Sequence, residues 1–166
     1  PSFDSEEKEA KTPEDQDEKQ DQVQRKHDGL LDVYVPVSST TNVADSLRKN
    51  LLFINQKNLT FVEMAGEYGV DDAGFSEGAA FFDYDNDGDL DLYVLTDIID
   101  QSPNLIREKV MDGSYPNTDR LYENEWNEKL GHPIFKNVSK QAGITIEGFG
   151  LGINICDINR DGWKDI

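Results

Sequence analysis

Phe81-Phe82-Asp83-Tyr84-Asp85-Asn86-Asp87-Gly88-Asp89-Leu90-Asp91-Leu92-Tyr93-Val94 is the stretch on which the reading of this chain turns. Five aspartates occupy alternate positions from 83 to 91, with a single glycine at 88. Alternate residues of a tightly curled loop can all point inward, so Asp83, Asp85 and Asp87 offer oxygens at loop positions 1, 3 and 5. Asp89 at position 7 lends its backbone carbonyl, and Asp91 at position 9 adds a carboxylate. Gly88 permits the positive φ that reverses the chain. Two carboxylates about 4 Å apart repel by about 4 kcal/mol at an effective dielectric of about 20, so the cluster asks for a cation. Ca2+ suits it better than magnesium, whose shell is smaller and more rigid. Position 12 is Val94 and the flanks are β-like, which removes the helix–loop–helix calcium site with its closing glutamate. Leu90, Leu92 and Val94 are expected on one face of a strand, with Asp91 turned toward the metal.

Sliding the sequence by 74 positions lays residues 61–92 on 135–166 without a gap. Phe61, Gly69, Gly74, Phe75, Gly78, Asp83, Asp87, Gly88 and Asp91 then meet identical residues. The loop returns as Asp157, Asn159, Asp161, Gly162, Trp163 and Asp165, with Asn159 a neutral ligand and Trp163 at the carbonyl position. Upstream, Leu52, Phe53 and Asn55 match Leu121, Tyr122 and Asn124 at an offset of 69. A weaker third copy runs from Asp28-Gly29 to Val35, where Gln24 and Lys26 stand at the first two ligand positions and argue against a bound cation. Repetition on this scale marks a repeat architecture in which neighbours share a core.

Around these loops the texture is uniform. Short apolar runs at 31–35, 51–55, 59–64, 90–95, 121–124, 135–138 and 152–156 are bounded by turn formers and read as strands. Residues 64–68 and 138–142 are each long enough for one helical turn, and 105–110 is the best helical candidate in a chain without a long amphipathic helix. The fold class is all-β. Residues 1–27 carry nine acids, five bases and almost nothing apolar, so they are expected to be a disordered acidic tail. The remainder, 28–166, still holds 25 acids against 11 bases, so the acidity belongs to the folded part too.

The whole chain has 166 residues and a formal charge of −18. Such a field repels a phosphate backbone, which argues against nucleic acid as partner. No apolar run approaches the length of a membrane span. The lone Cys156 excludes an intrachain disulfide framework and sits in an apolar run, where a buried small hydrophobe is expected. His27 and His132 have no serine or cysteine arrangement around them, so no catalytic residue is assigned.

Phe81–Val94 and Ile153–Ile166, with Phe75-Ser-Glu-Gly78 and Phe149-Gly-Leu-Gly152 before them, resemble FG-GAP and VCBS-type repeats of integrin-α-like β-propellers. LLFIN…LTFVEMAGEYGV and RLYEN…IFKNVSKQAGI extend the resemblance to proteins related to cartilage acidic protein, the ASPIC/UnbV group. The Gly-Ala-Pro of the named motif and the ASPIC/UnbV segment itself are absent from these residues. The resemblance implies four-stranded blades with calcium in a loop of each. Residues 28–166 then make about two and a fraction blades of an incomplete propeller, with repeats near 28–50, 51–119 and 120–166. Closing a propeller takes at least four blades, so the chain reads as a fragment whose further partner is the rest of the ring. The 96–120 stretch is longer than a blade connection needs and reads as a rim excursion, where binding function tends to sit. The function implied is non-enzymatic: a calcium-stabilised extracellular or periplasmic segment for adhesion to a protein or carbohydrate partner. The alternative is the non-catalytic repeat portion of a secreted polysaccharide-degrading enzyme. An unfolded acidic calcium buffer conflicts with the repeated strands.

Overall fold

Runs of three to eight apolar or β-branched residues, cut by glycine and aspartate turns, leave room only for short strands joined by tight loops. That is what the computed structural model contains. It describes residues 29–98 and 108–166. The chain divides into two units, 1–30 and 31–166, and every described element belongs to the second. The acidic tail at 1–27 and the first half of the helical candidate at 105–110 lie outside the described residues, and its second half, 108–110, is not helical.

Two antiparallel sheets follow one another along the chain. The first joins β1 (Val33–Val35), β2 (Leu51–Asn55) and β3 (Phe61–Glu63) in that order. The second joins β4 (Ser76–Phe82), β5 (Asp91–Thr96), β6 (Arg120–Asn127) and β7 (His132–Asn137), again in sequence order. The only helical pieces among the described residues are α1 (Ala65–Tyr68) and a 3-10 turn at Asp45–Leu47. The fold is all-β, with no closed barrel, and each sheet is a simple meander of the kind that makes a propeller blade.

Strand register repeats as faithfully as the sequence. Val33 pairs with Phe53 in the first sheet, and the counterparts Leu92 and Tyr122 pair in the second. Phe53 faces Glu63 as Tyr122 faces Asn137, and Asn55 faces Phe61 as Asn124 faces Phe135. Thus β1, β2 and β3 correspond to β5, β6 and β7, and β4 supplies a strand at the edge of the second sheet. The sheets are phased differently from the sequence repeats, since a periodic pattern can be cut at any point. The five extra residues of the later copy lengthen the β6–β7 hairpin, which turns through Gly131 at φ +71°.

The run at 152–156 departs from the strand expected there. It forms only an isolated bridge in which the Cys156 and Asp165 amides each donate to the other's carbonyl, at 3.1 and 2.8 Å. That bridge reproduces the Phe82–Asp91 pairing at the start of the preceding β4–β5 ladder. Cys156 is exposed rather than buried. Its counterpart Phe82 is covered by Tyr93, Leu121 and Val138, and no described strand stands in their place over Cys156. At 138–142 the chain makes the single turn expected, closed by the Ala142 amide donating to the Val138 carbonyl at 2.9 Å, and it does not continue into a helix.

β5 lies inside the second sheet and is buried on both faces, not one. Leu92 and Val94 join Leu52, Val70, Tyr122 and Phe135 in one core cluster. Tyr93 and Leu95 join Phe82, Leu121 and Val138 in another, which Ile153 and Ile155 flank. Leu90, expected beside Leu92, is half exposed because it still belongs to the loop. Main-chain joints link consecutive repeats. The Ser76 amide donates to the Val37 carbonyl at 3.3 Å, and the counterpart Gly150 amide donates to Thr96 at 3.2 Å. The described part of the rim excursion is held by hydrogen bonds from Gly113 to Thr145 and between Val110 and Glu147.

Candidate metal centre

The aspartate loop joins the end of β4 to the start of β5, two adjacent antiparallel strands. Asn86 and Gly88 take positive φ, +62° and +95°, and so curl the chain. Asp83, Asp85, Asp87 and Asp91 first hold the loop itself. The Gly88 amide donates to Asp83 Oδ2 at 3.1 Å, the Asp87 amide to Asp85 Oδ1 at 3.2 Å, and the Asp89 amide to Asp87 Oδ1 at 2.9 Å. Asp91 is almost wholly buried and accepts twice, from the Tyr84 amide at 3.0 Å and from the Asn124 amide on β6 at 2.9 Å. Side chains directed inward by this pattern converge. One carboxylate oxygen from each of Asp83, Asp85 and Asp91 lies within 4.8 Å of the others.

Among the described residues no cationic side chain neutralises this trio: none of the ion pairs there involves Asp83, Asp85 or Asp91. Asp83 Oδ1 is buried with no hydrogen-bond partner, a costly state for a carboxylate oxygen unless a cation meets it. Burial raises the Asp91 carboxyl above its ordinary pKa; the two amide bonds oppose this, and Asp85 and Asp87 add to the rise. Asp87 and Asp89 lie in the same loop but outside the trio. An all-oxygen donor set of carboxylates and loop carbonyls, with no sulfur or imidazole, fits a hard divalent ion.

The second loop has the same skeleton. Arg160 and Gly162 take φ of +64° and +92°. Amides of Gly162, Asp161, Trp163 and Ile158 donate to Asp157, Asn159, Asp161 and Asp165, position for position as in the first loop. It differs in two respects. The Trp163 amide, helped by Asn159 donating to Asp161 Oδ2 at 2.8 Å, holds that carboxyl below its usual pKa. The loop is also more open: Asp165 is less buried than Asp91, and Trp163 is half exposed. Three carboxylates do not converge there.

The earliest copy keeps only the back of the site. Asp32 accepts from the Asn55 amide at 2.9 Å, as Asp91 does from Asn124. Asn55 and Asn124 also reach the carbonyls of Leu31 and Leu90, at 3.2 and 3.0 Å. These asparagines position the site without being ligands. Their signal in the sequence is their recurrence at the offset of 69.

His132 is partly buried and stacks on Tyr68 at 4.5 Å, away from any carboxylate cluster. No helix among the described residues is long and apolar enough to cross a membrane. No curated protein matches the chain at a significant level. Residues 26–94 match the family model described as FG-GAP-like repeat, a span that runs from just before the first sheet, through β4 and the aspartate loop, into β5. Residues 26–94 are therefore similar to an FG-GAP-like repeat, and the same sequence pattern returns at 135–166 with the Cys156–Asp165 bridge standing where Phe82 pairs with Asp91.

Proposed function

We propose that the chain is a non-enzymatic, calcium-stabilised segment of an extracellular or periplasmic β-propeller that binds a protein or carbohydrate partner. The observation that carries the calcium part is the convergence of Asp83, Asp85 and Asp91 around the buried, unpartnered Oδ1 of Asp83. Asp83, Asp85, Asp87 and Asp91, with the carbonyl of Asp89, would hold the ion in the first loop. Asp157, Asn159, Asp161 and Asp165, with the carbonyl of Trp163, would hold it in the second. A bound divalent ion supplies charge neutralisation and a rigid oxygen shell, so its role is structural. The first loop joins the two strands that begin the second sheet and the second spans the Cys156–Asp165 bridge, so fixing a loop fixes the pairing beside it. Sites of this kind in extracellular modules have affinities of about 10⁻⁴ to 10⁻³ M, and so fill where calcium is plentiful. The one convergent carboxylate cluster among the described residues is taken up by the ion in this account.

Calorimetric titration with calcium, paired with melting curves in calcium and in chelator, tests the reading. Heat of binding and a raised melting temperature are expected, both diminished in Asp85→Ala. No heat at millimolar calcium and an unchanged melt would remove it.

A further inference from the structure

The two aspartate loops touch. Asn86, between ligand positions Asp85 and Asp87, donates from Nδ2 to the Gly162 carbonyl of the other loop at 3.4 Å. Gly162 precedes Trp163, whose carbonyl is the position-7 donor there. A second contact runs beside it: Tyr84 packs on the same apolar cluster as Ile153 and Ile155, the residues that lead into the second loop. Resting on the calcium reading above, we infer that Asn86 couples the two loops, so that filling one strengthens cation binding in the other.

The physical argument follows from what each residue must do when its loop is loaded. Drawing Asp85 and Asp87 onto one ion fixes Asn86 between them, in a left-handed conformation that a free chain rarely keeps. The Asn86 amide is then already aimed when Gly162 and Trp163 are ordered by the other loop. Ordering one partner lowers the entropy lost on ordering the second, and this linkage is reciprocal. Direct repulsion between two cations acts in the opposite sense, but it does not pass through Asn86 and fades with salt.

Terbium luminescence on the full chain separates these contributions. With Trp126→Phe, Trp163 is the one tryptophan left to sensitise an ion, and it reports the second loop. At about 1 M salt the Debye length is about 3 Å, which screens one site from the other. Disabling the first loop with Asp85→Ala should then weaken terbium binding in the second about threefold, the worth of one long, exposed hydrogen bond. Asn86→Gly keeps the positive φ and removes the amide, and in that background Asp85→Ala should change the second loop by nothing further. Equal effects of Asp85→Ala in both backgrounds, or none in either, would overturn the coupling and leave the calcium reading standing. If terbium gives no sensitised emission in any variant, the calcium reading itself falls.

Discussion

Asp91 and Asn124 are bound backbone to side chain across the β5–β6 pair: the Asn124 amide donates to Asp91 Oδ1 at 2.9 Å while its Nδ2 donates to the neighbouring Leu90 carbonyl. Asp91 thereby joins loop, central strand and third strand at one buried point. Asp91→Ala orphans the Tyr84 and Asn124 amides together, so it should destabilise the protein by about 1–3 kcal/mol even with chelator present. Asp32→Ala, at the exposed counterpart, should cost about 1 kcal/mol or less. Urea midpoints for the two variants, measured in chelator, check the contrast.

Gly88 and Gly162 share a φ near +90°, and a Cβ at either would meet nothing within 4 Å. Their requirement is conformational alone. Alanine at either position should cost about 1–2 kcal/mol, the left-handed penalty of an L-residue, and the two costs should agree because no side chain is displaced. Thermal melts of the two single variants provide the measurement.

Leu92 and Ile166 occupy equivalent repeat positions in opposite surroundings. Leu92 is fully buried, whereas Ile166 is about half exposed. Leu92→Ala should therefore lose about 2–5 kcal/mol, and Ile166→Ala should stay within about 0.5 kcal/mol of the parent. Chemical denaturation of both variants tests this directly.

Three phenols govern alkaline behaviour. Burial raises the pKa of Tyr34, Tyr93 and Tyr122 well above the ordinary phenol value, with Asp119 adding to the rise at Tyr93 and Asp72 at Tyr122. Tyr122 donates to Asp72, Tyr93 to Asp119 and Tyr34 to the Val70 carbonyl. The native state keeps these protons after the unfolded chain has lost them, so their contribution is complete below about pH 10 and declines above it. Each phenol steepens the loss by about 1.4 kcal/mol per pH unit. Ultraviolet titration should show these tyrosines ionising only with unfolding, between about pH 10 and 12.

Much of this was legible before any coordinates. The 51–55 strand falls where its apolar run lies, and the offsets of 59, 69 and 74 between the copies foretold which strands would share a register. Local spacing also located the carboxylates, because turn residues and loop ligands are close in sequence. β4 was not legible as a strand. Ser76-Glu-Gly-Ala-Ala-Phe-Phe82 has neither β-branched residues nor strict alternation, and its pairing with β5 holds it. Asp119 lies at the 69-residue offset from Asn50, but the change of residue type hid that the two do the same work. Asn50 receives the Val37 amide, and Asp119 receives the counterpart Thr96 amide. Such equivalences rest on contacts between distant segments. The misplaced Cys156 has the same origin, since burial there depends on which strand lies over it, whereas Leu90 was misplaced because β5 begins one residue later.

The Ser76–Val37 and Gly150–Thr96 joints use main-chain atoms on both sides. A contact of that kind survives almost any drift in side-chain identity. Duplicating one unit within the gene therefore brings a ready-made attachment to the next, and such proteins can gain or lose members of the series without inventing a new seam.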